Sequence, residues 1–138
     1  MKRRTFESRE LVVGSLEEVT GLLPPSAPFA VLLAAGPSSP TPNDRSLIDL
    51  VAVPSCREMC FAGVAAEALH DLADEVVEAR GLLDIVTTWL ENESPAEVAH
   101  YFVRIAGGLP TVLLAAADHE PALSTALESA TEGETTSN

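Results

Sequence analysis

The segment Glu58–Trp89 constrains the fold more than any other part of the chain, because its pattern changes from strand to helix and back to strand. Glu58-Met59-Cys60-Phe61-Ala62-Gly63 is a short, mostly apolar run closed by glycine. Over Ala65–Arg80, Leu69, Leu72, Ala73, Val76 and Val77 recur at helical spacing, and Glu67, Asp71, Asp74, Glu75 and Glu78 take the opposite face. Gly81 stands directly after the last periodic turn, where a helix commonly ends at positive φ. Leu82–Trp89 is rich in β-branched and aromatic residues and reads as a second strand. A strand, helix and strand of this length form a right-handed crossover, the building unit of a parallel sheet. Both strands are expected to be buried.

The flanking sequence repeats the alternation. Phe29–Gly36 and Thr111–Ala117 are apolar on both faces, as central parallel strands are. Glu10–Gly14 reads as a short strand, and Ser15 with Glu18 has the spacing of a capping box ahead of a helix that Pro24-Pro25 ends. The proline-rich loop Gly36–Asn43 precedes a helix capped by Asn43 or Asp44 and running to about Val53. Ser94-Pro95-Ala96-Glu97 is the strongest local signal: cap, first-turn proline and capping-box glutamate in register. Its helix carries Val98, Tyr101, Phe102 and Ile105, and Pro121 opens a last helix to about Ala130. The expected architecture is an α/β fold: a single-domain three-layer α/β/α sandwich over residues 10–130, with a mostly parallel sheet of four or five strands. Residues 1–9 are expected to be a loosely ordered basic N-terminus or the approach to an edge strand, and 131–138 a disordered polar tail.

Charge narrows the partners. The chain has 21 acidic and 8 basic residues, a net charge of −13. Lys2, Arg3, Arg4 and Arg9 fall in the first nine positions, so the rest is more acidic still and repels phosphate backbones and anionic membranes. No apolar run is long enough to span a bilayer, and the basic start lacks the apolar stretch of a signal peptide, so a cytoplasmic location is expected. Cys56 and Cys60 are not a disulfide framework; one buried thiol and one in a loop is the expectation.

No catalytic set stands out. The loop Gly36–Asn43 lacks the Gly-Lys-Ser/Thr ending of a phosphate loop, and its prolines remove amide donors. At the carboxyl-end crest of the sheet, Glu91, Glu93, Asp118 and His119 are the weak alternative for a metal or an acid–base pair, although hydrated polar loops are required there in any case. His70 and Asp74, four apart on a helix, are within reach of each other. Trp89, the only tryptophan, is expected to anchor the core, with an interface role as the alternative.

The block Thr87-Thr88-Trp89-Leu90-Glu91-Asn92-Glu93-Ser94-Pro95-Ala96-Glu97-Val98, with Tyr101-Phe102, resembles one in an uncharacterised family of small bacterial α/β proteins. So does Cys60 on a strand ahead of the acidic stretch His70–Glu75. The resemblance extends over residues 28–118 and implies the same sandwich without an activity. The expected function is that of a small acidic interaction module, immunity- or antitoxin-like, covering a basic site on a protein partner. It is expected to be non-enzymatic, without cofactor and without nucleic-acid or membrane binding. Glu67, Asp71, Asp74, Glu75, Glu78, Trp89, Glu91 and Glu93 are the expected contact residues. The alternatives are a small enzyme or metal-dependent sensor at the crest, and a homo-oligomeric scaffold.

Overall fold

The computed structural model describes residues 1–106, 108, 110, 112–117 and 120–132. In chain order the elements are β1 (Lys2–Phe6), β2 (Arg9–Gly14), α1 (Leu16–Thr20), β3 (Phe29–Ala35), α2 (Pro42–Val51), β4 (Cys56–Gly63), α3 (Ala66–Ala79), β5 (Val86–Leu90), α4 (Pro95–Arg104), β6 (Val112–Ala116) and α5 (Pro121–Glu132). The strands form one six-stranded sheet in the order β1-β2-β6-β3-β4-β5. β1 runs antiparallel to β2, and the other neighbouring pairs are parallel.

Four or five strands in a mostly parallel sheet therefore give way to six in a mixed one. The added strand is β1, built from residues expected to be loosely ordered. Its side chains are mostly exposed, so no buried face marks it in the sequence. Glu7 and Ser8, both at positive φ, make the two-residue turn into β2. The basic side chains have internal partners: Lys2 and Arg4 meet Glu128, Arg4 also meets Glu132, and Arg3 meets Glu10. Arg9 is buried, donates to the Val103 carbonyl and lies 4.7 Å from the centre of the Phe6 ring.

β3 is buried along its whole length, which its apolar sequence requires. Its residues alternate between two hydrophobic clusters. Phe29, Val31 and Leu33 pack with Val19 of α1, Leu47 and Ile48 of α2, and Leu69 and Ala73 of α3. Ala30, Leu32 and Ala34 pack with Val98 and Phe102 of α4 and Leu123 and Leu127 of α5.

Local chemistry fixes the helix ends. α1 and α4 start in complete capping boxes at Ser15/Glu18 and Ser94/Glu97. α2 does the same slightly earlier than expected, with Thr41 as the cap, Pro42 next and Asp44 closing the box. Asn43 and Asp44 are thus inside the helix. α3 ends as Gly81 predicts: Gly81 N–H reaches the Glu78 carbonyl and Leu82 N–H the Val77 carbonyl, so two terminal carbonyls are satisfied. The chain then turns through Leu82–Ile85, so β5 begins at Val86 rather than Leu82.

Among the described residues, no helix is long and apolar enough to cross a membrane.

Candidate functional site

β5 is an edge strand, and three features gather around it. One is the surface it shares with α3; another is a buried carboxylate cluster on its other side; the third is a cavity at the neighbouring strand ends.

On the α3 side, Thr87 and Trp89 lie beside the helix. Thr87 Oγ1 donates to Asp74 Oδ1 at 2.5 Å, and His70 Nε2 lies 3.2 Å from the same hydroxyl. A hydroxyl has one proton, so with it given to Asp74 the imidazole Nε2–H is the donor to Thr87. The His70 ring stacks at a tilt of 57° on Trp89, with centroids 4.3 Å apart. His70 and Asp74 thus meet, as their spacing predicts, through a hydroxyl that lies 13 residues beyond Asp74. Trp89 is not a core anchor: it is 43% exposed, because among the described residues β5 has a neighbour on one side only. Glu67, Asp71, Glu75 and Glu78 are exposed along α3, Asp74 is half-buried, and Glu91 and Glu93 are exposed in the turn after β5. The structure therefore brings Asp71, Asp74 and Trp89 together around His70, and leaves the remaining acids as a solvated rim.

On the opposite side, Glu58 of β4 is only 3% exposed. Its Oε2 accepts from Tyr101 Oη at 2.6 Å, Thr88 Oγ1 at 2.7 Å and Cys60 Sγ at 3.4 Å. Three neutral donors on one oxygen replace the water that a buried carboxylate has lost. Burial pushes the Tyr101 hydroxyl up to about 12, and the hydrogen bond to Glu58 adds to this. Burial likewise pushes Cys60 well above its ordinary range, with the Glu58 charge second, and raises Cys56 to about 12.

Both cysteines are free and buried in β4, so the expectation of one in a loop is corrected. The register of β4 against β3 skips one residue at Arg57, a bulge that reverses the facing of the residues beyond it. Cys56 consequently joins the cluster of α2 and α3, and Cys60 that of α4 and α5.

These shifts predict alkaline instability. Unfolded thiols and phenols lose protons near 9.0 and 10.0, whereas the folded groups hold theirs to about 12. Above pH 9 the folded state binds more protons than the unfolded, so stability falls as pH rises from 9 towards 12. Urea midpoints measured across that range should drop, and should drop less for Tyr101→Phe. In native protein at pH 8 neither thiol should react with a disulfide reagent.

The cavity, about 160 Å³, lies at the carboxyl ends of β3 and β4. Ala34, Ala35, Ala62 and Gly63 line it together with Glu93, Pro95 and Glu120. Glu93 is thus placed at the crest as expected, whereas Glu91 does not line the cavity and Glu120 does. Asp118 and His119 lie outside the described residues. Among the described residues, no group of three or more His, Cys, Asp or Glu side chains is arranged to hold a metal ion.

A mixed six-stranded sheet with helices packed on both of its hydrophobic clusters defines a small α/β protein. The chain belongs to a family described as a domain of unknown function (DUF7684), whose model matches residues 14–131. The match is wider than the Thr87–Phe102 block that carries the resemblance, and leaves out β1. No curated protein and no solved structure matches the chain.

Proposed function

We propose that this chain is a small, cytosolic, acidic protein-interaction module, built as one three-layer α/β/α domain, that covers a basic site on a protein partner as immunity proteins and antitoxins do. One observation carries the reading: Trp89, exposed on the edge strand, sits against His70 beside the acidic face of α3. Tryptophan ringed by polar groups is the side chain that most often anchors an interface, and an acidic surround accelerates the approach of a basic partner. Nucleic acid and anionic membranes are disfavoured by the same charge.

The test is a pull-down from lysate of the source cell, with the bound protein identified and its retention tracked from low to high salt. A stoichiometric basic protein should bind and be released by salt. Reversing Glu67, Asp71, Glu75 and Glu78 to lysine should abolish retention; these side chains are exposed, so the fold is not at stake. Retention unchanged by the reversal removes this face from the interface.

The cavity at the crest supports a second reading, a small enzyme or metal-dependent sensor, in which Glu93 and Glu120 are the side chains in place. Metal analysis of purified protein, with Glu93→Ala/Glu120→Ala as comparison, separates it from the first. A homo-oligomeric scaffold, the third, is decided by light scattering.

A further inference from the structure

We propose that the outer edge of β5 accepts an extended basic segment of the partner, which adds to the sheet as a further strand. The inference rests on the reading of the α3–β5 face as a partner surface, and states how the partner is held there.

The two edges of the sheet are built differently. β1 carries Lys2, Arg3 and Arg4, and its ion pairs to Glu128 and Glu132 tie it to α5. Charged side chains and a covering helix are the usual means of blunting an edge. β5 reads Val-Thr-Thr-Trp-Leu, with no charge, proline or glycine, and its register with β4 is unbroken. Among the described residues, no segment pairs with its outer side. Val86 is 52% exposed and Leu83, just before the strand, 77%. A regular edge made of strong strand formers is a template for another strand.

Charge decides the occupant. From Val64 to Glu93 the chain holds Glu67, Asp71, Asp74, Glu75, Glu78, Asp84, Glu91 and Glu93 against one base, Arg80. Arg80 is turned to the Asp49 carboxylate and to the carbonyls of Asp49 and Ala52. A second copy of this chain would bring the same acids of α3 and the flanking turns to the same edge, and two surfaces of like charge repel. A strand with lysine or arginine at alternate positions would instead set them on the side of Trp89, Asp71 and Asp74, where a cation meets both an aromatic face and carboxylates. The intervening positions would lie beside Val86, Thr88 and Leu90, which suits apolar side chains.

The probe is a synthetic ten-residue peptide alternating lysine and valine, with a second version N-methylated at alternate residues so that main-chain donors are lost and charge is kept. Trp89, the only tryptophan, reports binding by fluorescence, and amide hydrogen exchange reports the strand. The proposal requires saturable binding, at least about tenfold slower exchange of the outward-facing amides of Val86–Leu90, and at least about tenfold weaker binding of the N-methylated version. Equal binding of both peptides without protection of Val86–Leu90 overturns strand addition and leaves the acidic face as a partner surface. Failure of both peptides to bind overturns strand addition and the basic-partner reading with it. Protection of the outward-facing amides of Val86–Leu90 in peptide-free protein that also self-associates in light scattering puts a second copy at the edge and overturns the proposal.

Discussion

Replacing Gly63 with alanine should lower folding stability by about 3 kcal/mol, seen as a lower urea midpoint at an unchanged slope. Gly63 closes β4 at φ +96°, and a Cβ there would lie 2.4 Å from the Ala35 carbonyl oxygen and 3.3 Å from its nitrogen. Those are main-chain atoms of β3 at the position paired with Gly63 itself, and backbone cannot swing aside as the end of a flexible side chain can. Gly81 supplies the control. It also has positive φ, at +68°, but nothing lies within 4 Å of the added Cβ, so Gly81→Ala should cost only about 1 kcal/mol. Equal losses at the two positions would mean that backbone conformation alone sets the penalty and that the close approach of β3 and β4 contributes nothing.

Glu58→Ala should be comparably severe, at about 3 kcal/mol, since it leaves the Tyr101 and Thr88 hydroxyls without their acceptor and opens a void in a buried site. Glu58→Gln keeps the shape and an acceptor oxygen and should cost about 1–2 kcal/mol, the difference between a charged and a neutral hydrogen bond. Tyr101→Phe should cost about 1–2 kcal/mol, and the double variant less than the sum of the two. Additivity to within about 0.5 kcal/mol would show that the two side chains do not depend on each other.

Helices are the most legible part of the chain because their signals are local. Ser15/Glu18 and Ser94/Glu97 announce capping boxes within four residues, and the structure forms both. Thr41-Pro42-Asn43-Asp44 repeats the Ser94-Pro95-Ala96-Glu97 pattern, and reading the two side by side identifies Thr41 as the cap. Strand order is not local, which is where the sequence falls short. Val-Thr-Thr-Trp-Leu has the same propensities at an edge as in a centre, so the exposure of Trp89 comes only from β5 having one neighbour. β1 is hidden for the converse reason. Its basic, exposed residues resemble a solvated terminus, and its turn residues Glu7 and Ser8 are not the Asn-Gly or Asp-Gly that marks a hairpin. The Glu58 cluster has no sequence signal, since Thr88 and Tyr101 lie 30 and 43 residues away.

The strand order also sorts charge across the molecule. Of the eight basic residues, Lys2, Arg3, Arg4 and Arg9 lie on the hairpin at one end of the sheet. α3 and the turns around β5 at the other end hold eight acids and a single arginine. Glu7, Glu10, Glu128 and Glu132 offset the hairpin bases, so that end is close to neutral while the β5 end is strongly negative, and the charge is uneven along an axis that runs across the strands. In the field of a positively charged body it would rotate before touching, so that first encounters are weighted towards the β5 end. Added salt shortens the range of that torque to a Debye length of about 8 Å at physiological ionic strength, so capture rate should respond to salt more than lifetime does.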